Sequence, residues 1–351
     1  MIFEISFNRT HTIMRKTTFF LALAILLFSC MTEKKIGNQV ITLSNGTVQI
    51  KLLPAVGGTL VSASLTGHEN ILNSDSTQWN EPSERRPTMD PTEPFKAYNG
   101  MIVWLSPQSE WWVKQDTYPK LKDSKSMWPP DPYLTCAAYK ITHQTENEIT
   151  MESPESLNTH VQFTKTFRIE GNKVFITAKA RNCSKDTISW GLWFNTRMNG
   201  WDKVFVPADS MDLIKTQYMK YPDIHQPALN YADGCFSYQP LAPEAGQAAY
   251  KSKSFFSVEN PIIIGYKASQ WLIIRGEKVD RARIHPEQGR IEIYVENSAG
   301  KVNDLQELEM HFAYEKIAPG ATIQASENWE IVPGSPDINN DKLPEEIKVK
   351  L

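Results

Sequence analysis

The chain has no block of basic residues, no CxxC pair, no HExxH or HxH spacing, no GxSxG elbow and no glycine-rich phosphate or dinucleotide fingerprint. Each absence removes a class. With 37 Lys and Arg against 40 Asp and Glu, a net charge of -3 and no cationic cluster, the surface does not track phosphates, and nucleic acid is not an expected partner. Zinc, hydrolase-triad, nucleotide and redox chemistry lack their signatures, so neither a metal nor a cofactor is expected. No fixed-period repeat is visible, which disfavours a propeller or solenoid, and long helical stripes are scarce. What remains is a chain of 351 residues, 41% hydrophobic, long enough for a large core and suited to a neutral or mildly polar ligand.

The first thirty residues are of another kind. After MRKTT (14–18) comes FFLALAILLFSC (19–30), a positive n-region followed by an apolar run too short to span a bilayer permanently. Met14 would begin a signal of normal form. The closing LFSC resembles the bacterial lipobox, in which cleavage precedes a cysteine that then carries acyl chains, and a polar sequel, TEKK (32–35), follows it. The expectation is a signal peptide at 1–29, lipidation at Cys30, a linker at 30–39, and a cell-envelope protein whose only membrane contact is this anchor. Cys136, Cys183 and Cys235 are left, and the sequence does not say whether two of them pair or all stay free.

The mature chain reads as short alternating runs between turns, the pattern of antiparallel β structure. In HVQFTKTFRI (160–169), Val161, Phe163, Phe167 and Ile169 share one face; Glu170, Gly171 and Asn172 then turn the chain into KVFITAKA (173–180). TVQIKL (47–52) and TLVSASL (59–65), joined through a Gly57-Gly58 turn, form a second such pair. RIEIYVEN (290–297) sets Ile291, Ile293 and Val295 against Glu292, Tyr294 and Glu296, and LEMHFAY (308–314) alternates likewise. Residues 74–135 and 207–248 are proline-broken and read as long ordered loops, which usually carry function. One large antiparallel sandwich over 40–333 is expected, with 334–351 as a polar tail.

The order of these features resembles the galactose mutarotase-like superfamily, whose members fold as a large β-supersandwich and handle carbohydrates. The resemblance rests on LLPAVGGTLVSASLTGHENIL (52–72), on the hairpin and following strand through WGLWFN (190–195), on IEIYVEN (291–297), and on the strand and Pro319-Gly320 turn of 305–332. It covers most of the mature chain through short, generic motifs. In active members a His two residues before an aromatic pair and Asn works with a carboxylate across the sugar, one protonating the ring oxygen and the other taking the anomeric proton. Here Glu296 stands in the carboxylate's place, with Glu309 as the competitor, but Gly191 stands where the His would be. The family's Asn-Arg element is replaced by YNGMIVWLSPQSEWW (98–112).

The resemblance therefore implies recognition of a saccharide more readily than turnover. Flat indoles stack on the C–H face of sugar rings while carboxylates, amides and guanidinium groups meet the hydroxyls. Trp104, Trp111, Trp112 and Trp128 occur beside Glu110 and Asp131, and Trp193, Asn195 and Arg197 alternate onto one strand face. The expected site is a cleft between the 98–132 loop, the 193–197 strand and the strands of Glu296 and Glu309. An active epimerase would need Glu296 or Glu309 as base and His285 or His225 as acid; a structural envelope lipoprotein would bury the loop tryptophans and have no cleft.

Overall fold

Alternation of apolar and polar residues fixes which strand faces meet, and in the computed structural model it builds two large antiparallel sheets. The structure describes Met1 and residues 40–216, 224–239, 241–298, 304–335 and 341–351. The expected signal segment, Cys30 and the linker to residue 39 lie outside them.

The first sheet has eleven strands. They are β1 (Ile41–Ser44), β2 (Val48–Leu53), β3 (Thr59–Leu65), β4 (Met101–Ser106), β9 (Ile188–Met198), β11 (Ile214–Thr216), β12 (Ile224–His225), β15 (Ala249–Phe256), β18 (Ile291–Ser298), β19 (Leu305–His311) and β20 (Glu315–Ile317). Their order is β1-β2-β3-β4-β9-β19-β18-β15-β11, with β12 on β15 and β20 on β9. The second sheet comprises β5 (Lys140–Gln144), β6 (Glu148–Glu152), β7 (Val161–Glu170), β8 (Lys173–Asn182), β10 (Lys203–Pro207), β13 (Leu229–Ala232), β14 (Cys235–Tyr238), β16 (Ile262–Lys267), β17 (Gln270–Gly276) and β21 (Thr322–Pro333). It runs β13-β14-β10-β16-β17-β21-β8-β7-β6-β5.

One hydrophobic cluster draws inward residues from both sheets, among them Leu60, Phe194, Ile293 and Met310 of the first and Phe167, Ile176, Leu272 and Trp329 of the second. The β7-β8 hairpin has the anticipated register, Ile169 opposite Val174, and Gly171 takes the positive φ of 57° that its turn requires. Within the inward row of β7 stands Lys165, which the apolar pattern does not announce. Its Nζ donates to the Gly57 carbonyl at 2.7 Å and lies 4.9 Å from the Tyr139 ring.

Two expectations are corrected. Within the expected tail the described residues 341–351 are packed: Leu343 and Ile347 are buried against Phe205, Trp271 and Ile273. The reason is that β16 and β17 are apolar on both faces, and their outer face needs a cover. Nor is 98–112 all loop, since MIVWLS is the wholly buried strand β4, its proline lying only after the last residue. Cys136, Cys183 and Cys235 are all free thiols. No helix among the described residues is long and apolar enough to cross a membrane.

Candidate functional site

The face of the first sheet turned away from the shared core carries its buried charged residues, Arg197, Glu292, Glu309 and His311. Register puts these residues in rows across neighbouring strands. Arg197 of β9 pairs with Glu307 of β19, which pairs with Tyr294 of β18, which pairs with Lys253 of β15. One step along, Ile102 of β4, Asn195, Glu309, Glu292 and Phe255 form a second row. Trp104, Trp193 and His311 begin a third. The expected sharing of a face by Trp193, Asn195 and Arg197 is thus present, and Glu309 joins them.

At the centre lies a closed set of charges. Lys253 Nζ donates to Glu309 Oε1 at 2.5 Å and sits 2.8 Å from Glu292 Oε2, while His311 Nε2 lies 3.3 Å from Glu292 Oε1 and 3.7 Å from Glu309 Oε2. Each carboxylate thus sets one oxygen against the ammonium and turns the other towards the imidazole; Glu292 Oε1 also accepts from the Gly289 N–H at 2.9 Å, while Glu309 Oε2 and His311 Nε2 have no hydrogen bond among the described residues. Both carboxylates and the imidazole are buried, whereas the lysine side chain keeps 15% exposure. Burial opposes the Glu292 charge, yet Lys253 and His311 outweigh it and pull that carboxyl down to about 2. Burial pushes Glu309 above the ordinary carboxylate range in spite of Lys253, with Glu292 and Glu307 adding to the rise. For His311, burial works against protonation, but the two carboxylates raise its pKa nonetheless. With the imidazole protonated, two negative and two positive charges cancel.

Glu292, Glu309 and His311 are also the group whose donor atoms could hold a metal ion, all lying within 4.8 Å of one another. The donor set suits zinc or a similar ion. Lys253, however, already stands against both carboxylates and supplies the counter-charge that an ion would bring. The cluster is therefore complete as an ion-pair set without a metal.

Around this centre, several buried polar atoms have no partner among the described residues. They include both amide atoms of Asn195, the indole N–H groups of Trp104 and Trp193, Nε of Arg197 and Nδ1 of His311. Leaving such an atom unpaired costs roughly 1–3 kcal/mol. The core-facing side of the same sheet also leaves atoms unpaired, at Thr196, Ser252, Ser254 and Gln306, but those on the outer face adjoin Glu309 and His311 and so bear on the site. Arg197 is otherwise held by Glu307 at 2.6 Å and by the Asn99 amide oxygen at 2.7 Å.

Four of the five candidate tryptophans are buried, as the structural-lipoprotein reading expects and the carbohydrate reading does not. Trp104, Trp111, Trp112 and Trp193 are all buried. Trp111 lies nearly parallel to Trp193 at 6.0 Å, Trp104 meets Trp193 edge-on at 4.7 Å, and His311 is 4.9 Å from the Trp193 ring. The Trp111 indole donates to the Leu105 carbonyl, and that of Trp112 donates to the Pro129 carbonyl. These rings are a wall packed on itself, since mutual stacking shields more indole surface than separate exposure would. Trp128 alone of the set is open, at 45% exposure.

Other chosen residues also have structural work. Asp131 is buried and caps the Pro132–Thr135 helix; one oxygen accepts from the Tyr133 N–H, the other from the hydroxyls of Ser156 and Thr159, so it has nothing left for a sugar. Glu110 pairs with Lys114 and accepts from the Tyr314 hydroxyl at 2.9 Å. Glu296 is half-buried on the polar face and accepts from the Tyr294 hydroxyl at 2.7 Å. His285 packs edge-on against Tyr314 and His225 stacks on Tyr250; among the described residues no contact joins either to Glu296 or Glu309. At Gly191 a Cβ would come within 2.6 Å of Ser106 Oγ and 3.3 Å of two backbone carbonyls. A side chain at the position expected to hold a histidine would have to displace the Ser106 hydroxyl and press on two backbone carbonyls.

Glu292, His311 and Lys253 were not singled out from the sequence. The two-residue period does place Glu292 beside Glu296 and His311 beside Glu309, and KSKSFF (251–256) alternates cations onto the same face. What it lacks is a signal that three separate strands converge.

A family model described as "Domain of unknown function (DUF4380)" matches residues 38–332. The chain belongs to the DUF4380 family. No curated protein matches it. Its fold is galactose mutarotase-like: the Slr1438 protein from Synechocystis aligns with a TM-score of 0.54 at 12% identity, over 84% of this chain and 96% of that one. A galactose mutarotase-like protein from Lactobacillus casei gives 0.51 at 12% identity, over 84% and 100%. One from Clostridium acetobutylicum gives 0.51 at 11%, over 84% and 95%. At such identity the likeness is one of fold alone.

Proposed function

We propose that this DUF4380 protein is an exported lipoprotein, anchored through Cys30, that binds carbohydrate on the polar face of its mutarotase-like sheet. The observation that carries the reading is the set of unpartnered buried donors and acceptors around Asn195. A neutral ligand with many hydroxyls offers each of them a partner without adding charge to a cluster already balanced. A phosphate or carboxylate ligand would instead meet Glu292, Glu307 and Glu309. The fold class supports the reading, and the neighbouring structures named for mutarotases agree with it.

Screening a glycan panel by intrinsic tryptophan fluorescence tests the proposal, because Trp104, Trp111 and Trp193 border the cluster. Binding is expected, with a loss of tenfold or more in Asn195→Ala and Arg197→Ala variants. A panel without a binder, or binding indifferent to both substitutions, overturns it.

Epimerase-like turnover is the second reading, and one observation favours it. Glu309 and His311 are neighbouring titratable groups with shifted pKa values beside an ionised Glu292, the arrangement from which acid and base roles are made. Glu309 and His311 would replace the expected pairing with His285 or His225. Polarimetry on freshly dissolved aldoses decides it, and a rate equal to the buffer blank removes it.

A further inference from the structure

We propose that the ligand is an oligosaccharide of at least two rings, lying across the strands, and that Trp128 is a separate stacking subsite for the ring furthest from the charge cluster. This rests on the carbohydrate reading above and adds the size of the ligand. The polar face is a track more than a point. From β4 through β9, β19 and β18 to β15 it crosses four strand spacings, about 19 Å at about 4.8 Å each. Polar groups recur along it: Asn195 and Arg197 are buried and keep unpaired atoms, while the ion-paired Glu307 and Lys253 keep 13% and 15% exposure. A single pyranose covers only a fraction of that length.

Its β4 end is closed by rings. Trp104 faces Trp193 on one side and lies 6.3 Å from Trp128 on the other, so a continuous aromatic path leads from the buried cluster to the surface. Trp128 is held without being covered. Phe95 and Trp104 both meet it edge-to-face, at 77° and 84°, and among the described residues no aromatic ring lies parallel to it. Its backbone is clamped: the Ser126 hydroxyl donates to the Trp128 carbonyl at 2.6 Å, Gln108 donates to the Met127 carbonyl at 2.7 Å, and Trp112 donates to the Pro129 carbonyl at 2.8 Å. An open indole fixed in this way loses little entropy when a sugar ring stacks on it. The other tryptophans of the wall, already covered by one another, cannot serve as that platform.

The experiment is titration calorimetry of the full mature chain with glucose, galactose, mannose and xylose and with their 1,4-linked di-, tri- and tetrasaccharides. In the matching series, affinity is expected to rise at least tenfold from mono- to trisaccharide. Trp128→Ala should abolish most of that rise while leaving monosaccharide affinity within twofold. Trp128 is 45% exposed and otherwise packs on Phe95 and Trp104, so the melting temperature is measured in parallel and Trp128→Phe, which keeps an aromatic ring there, should retain part of the gain. Monosaccharide binding with no gain on lengthening, or a gain unchanged by Trp128→Ala, overturns the subsite while leaving carbohydrate binding intact. Absence of binding at every length overturns both.

Discussion

Lys253→Met tests the electrostatic reading of the site most directly. The substitution keeps the stem and removes the ammonium that stands against Glu292 and Glu309 at 2.8 and 2.5 Å. At an effective dielectric near 20 these contacts are worth about 6 and about 7 kcal/mol, so about 13 kcal/mol of attraction is lost. Relief of the lysine's desolvation and uptake of a proton by one carboxylate offset most of it, leaving the net loss of about 3–5 kcal/mol typical of removing one partner of a buried ion pair. With an unfolding entropy of about 2 cal/mol/K per residue over about 300 residues, that is a fall of about 5–8 °C in Tm.

The pH dependence gives the sign. In the parent, Glu292 has a folded pKa of about 2, below its unfolded value, so its stabilisation is present above about pH 4.5 and is lost only as pH falls towards 2. Without Lys253 the two carboxylates face each other in a buried site and at least one must hold a proton, with a raised folded pKa. Stability then falls as pH rises from about 4.5 through that value. The gap between parent and variant should be wider at pH 8 than at pH 4.5 in thermal melts followed by near-UV circular dichroism. Adding Glu309→Gln should recover at least half of it. An unchanged Tm at pH 8, or a gap that widens towards acid, would refute the ion-pair account.

Lys165→Met should stabilise the fold, because burial alone pulls this lysine down to about 7. With an unfolded value near 10.5, parent stability rises with pH between about 7 and 10.5, and below 7 the cost is roughly 5 kcal/mol; denaturant midpoints should show the variant gaining most at or below pH 7 and losing that slope. Exhaustive chelation should leave Tm within about 1 °C, since Lys253 balances Glu292 and Glu309; a larger fall, reversed by zinc, would show that the three-donor group holds metal. In a bacterial host fed an alkyne-tagged fatty acid, the parent should become labelled and Cys30→Ser should not; equal labelling would place any lipid elsewhere.

Much of the architecture was legible because strand alternation is a local signal. The β2-β3 and β7-β8 pairs, the polar rows of β18 and β19 and the shared face of Trp193, Asn195 and Arg197 all follow from a two-residue period. Lys165 and the C-terminal segment show where that signal stops. A lysine in an apolar row is tolerated because the Gly57 carbonyl and the Tyr139 ring happen to lie there, and 341–351 is held because β16 and β17 are apolar on their outer side too. Neither neighbour is adjacent in sequence.

The candidate site divides in the same way. Composition by itself excluded phosphate tracking, and residue types pointed to indole and carboxylate recognition on a β scaffold. Which tryptophan stays open, which carboxylate is spent as a helix cap, and which three strands bring Glu292, Glu309, His311 and Lys253 together were decided by register and sheet order. Burial and pairing depend on contacts between residues as distant as 253 and 309, and those contacts exist only once the first sheet is assembled.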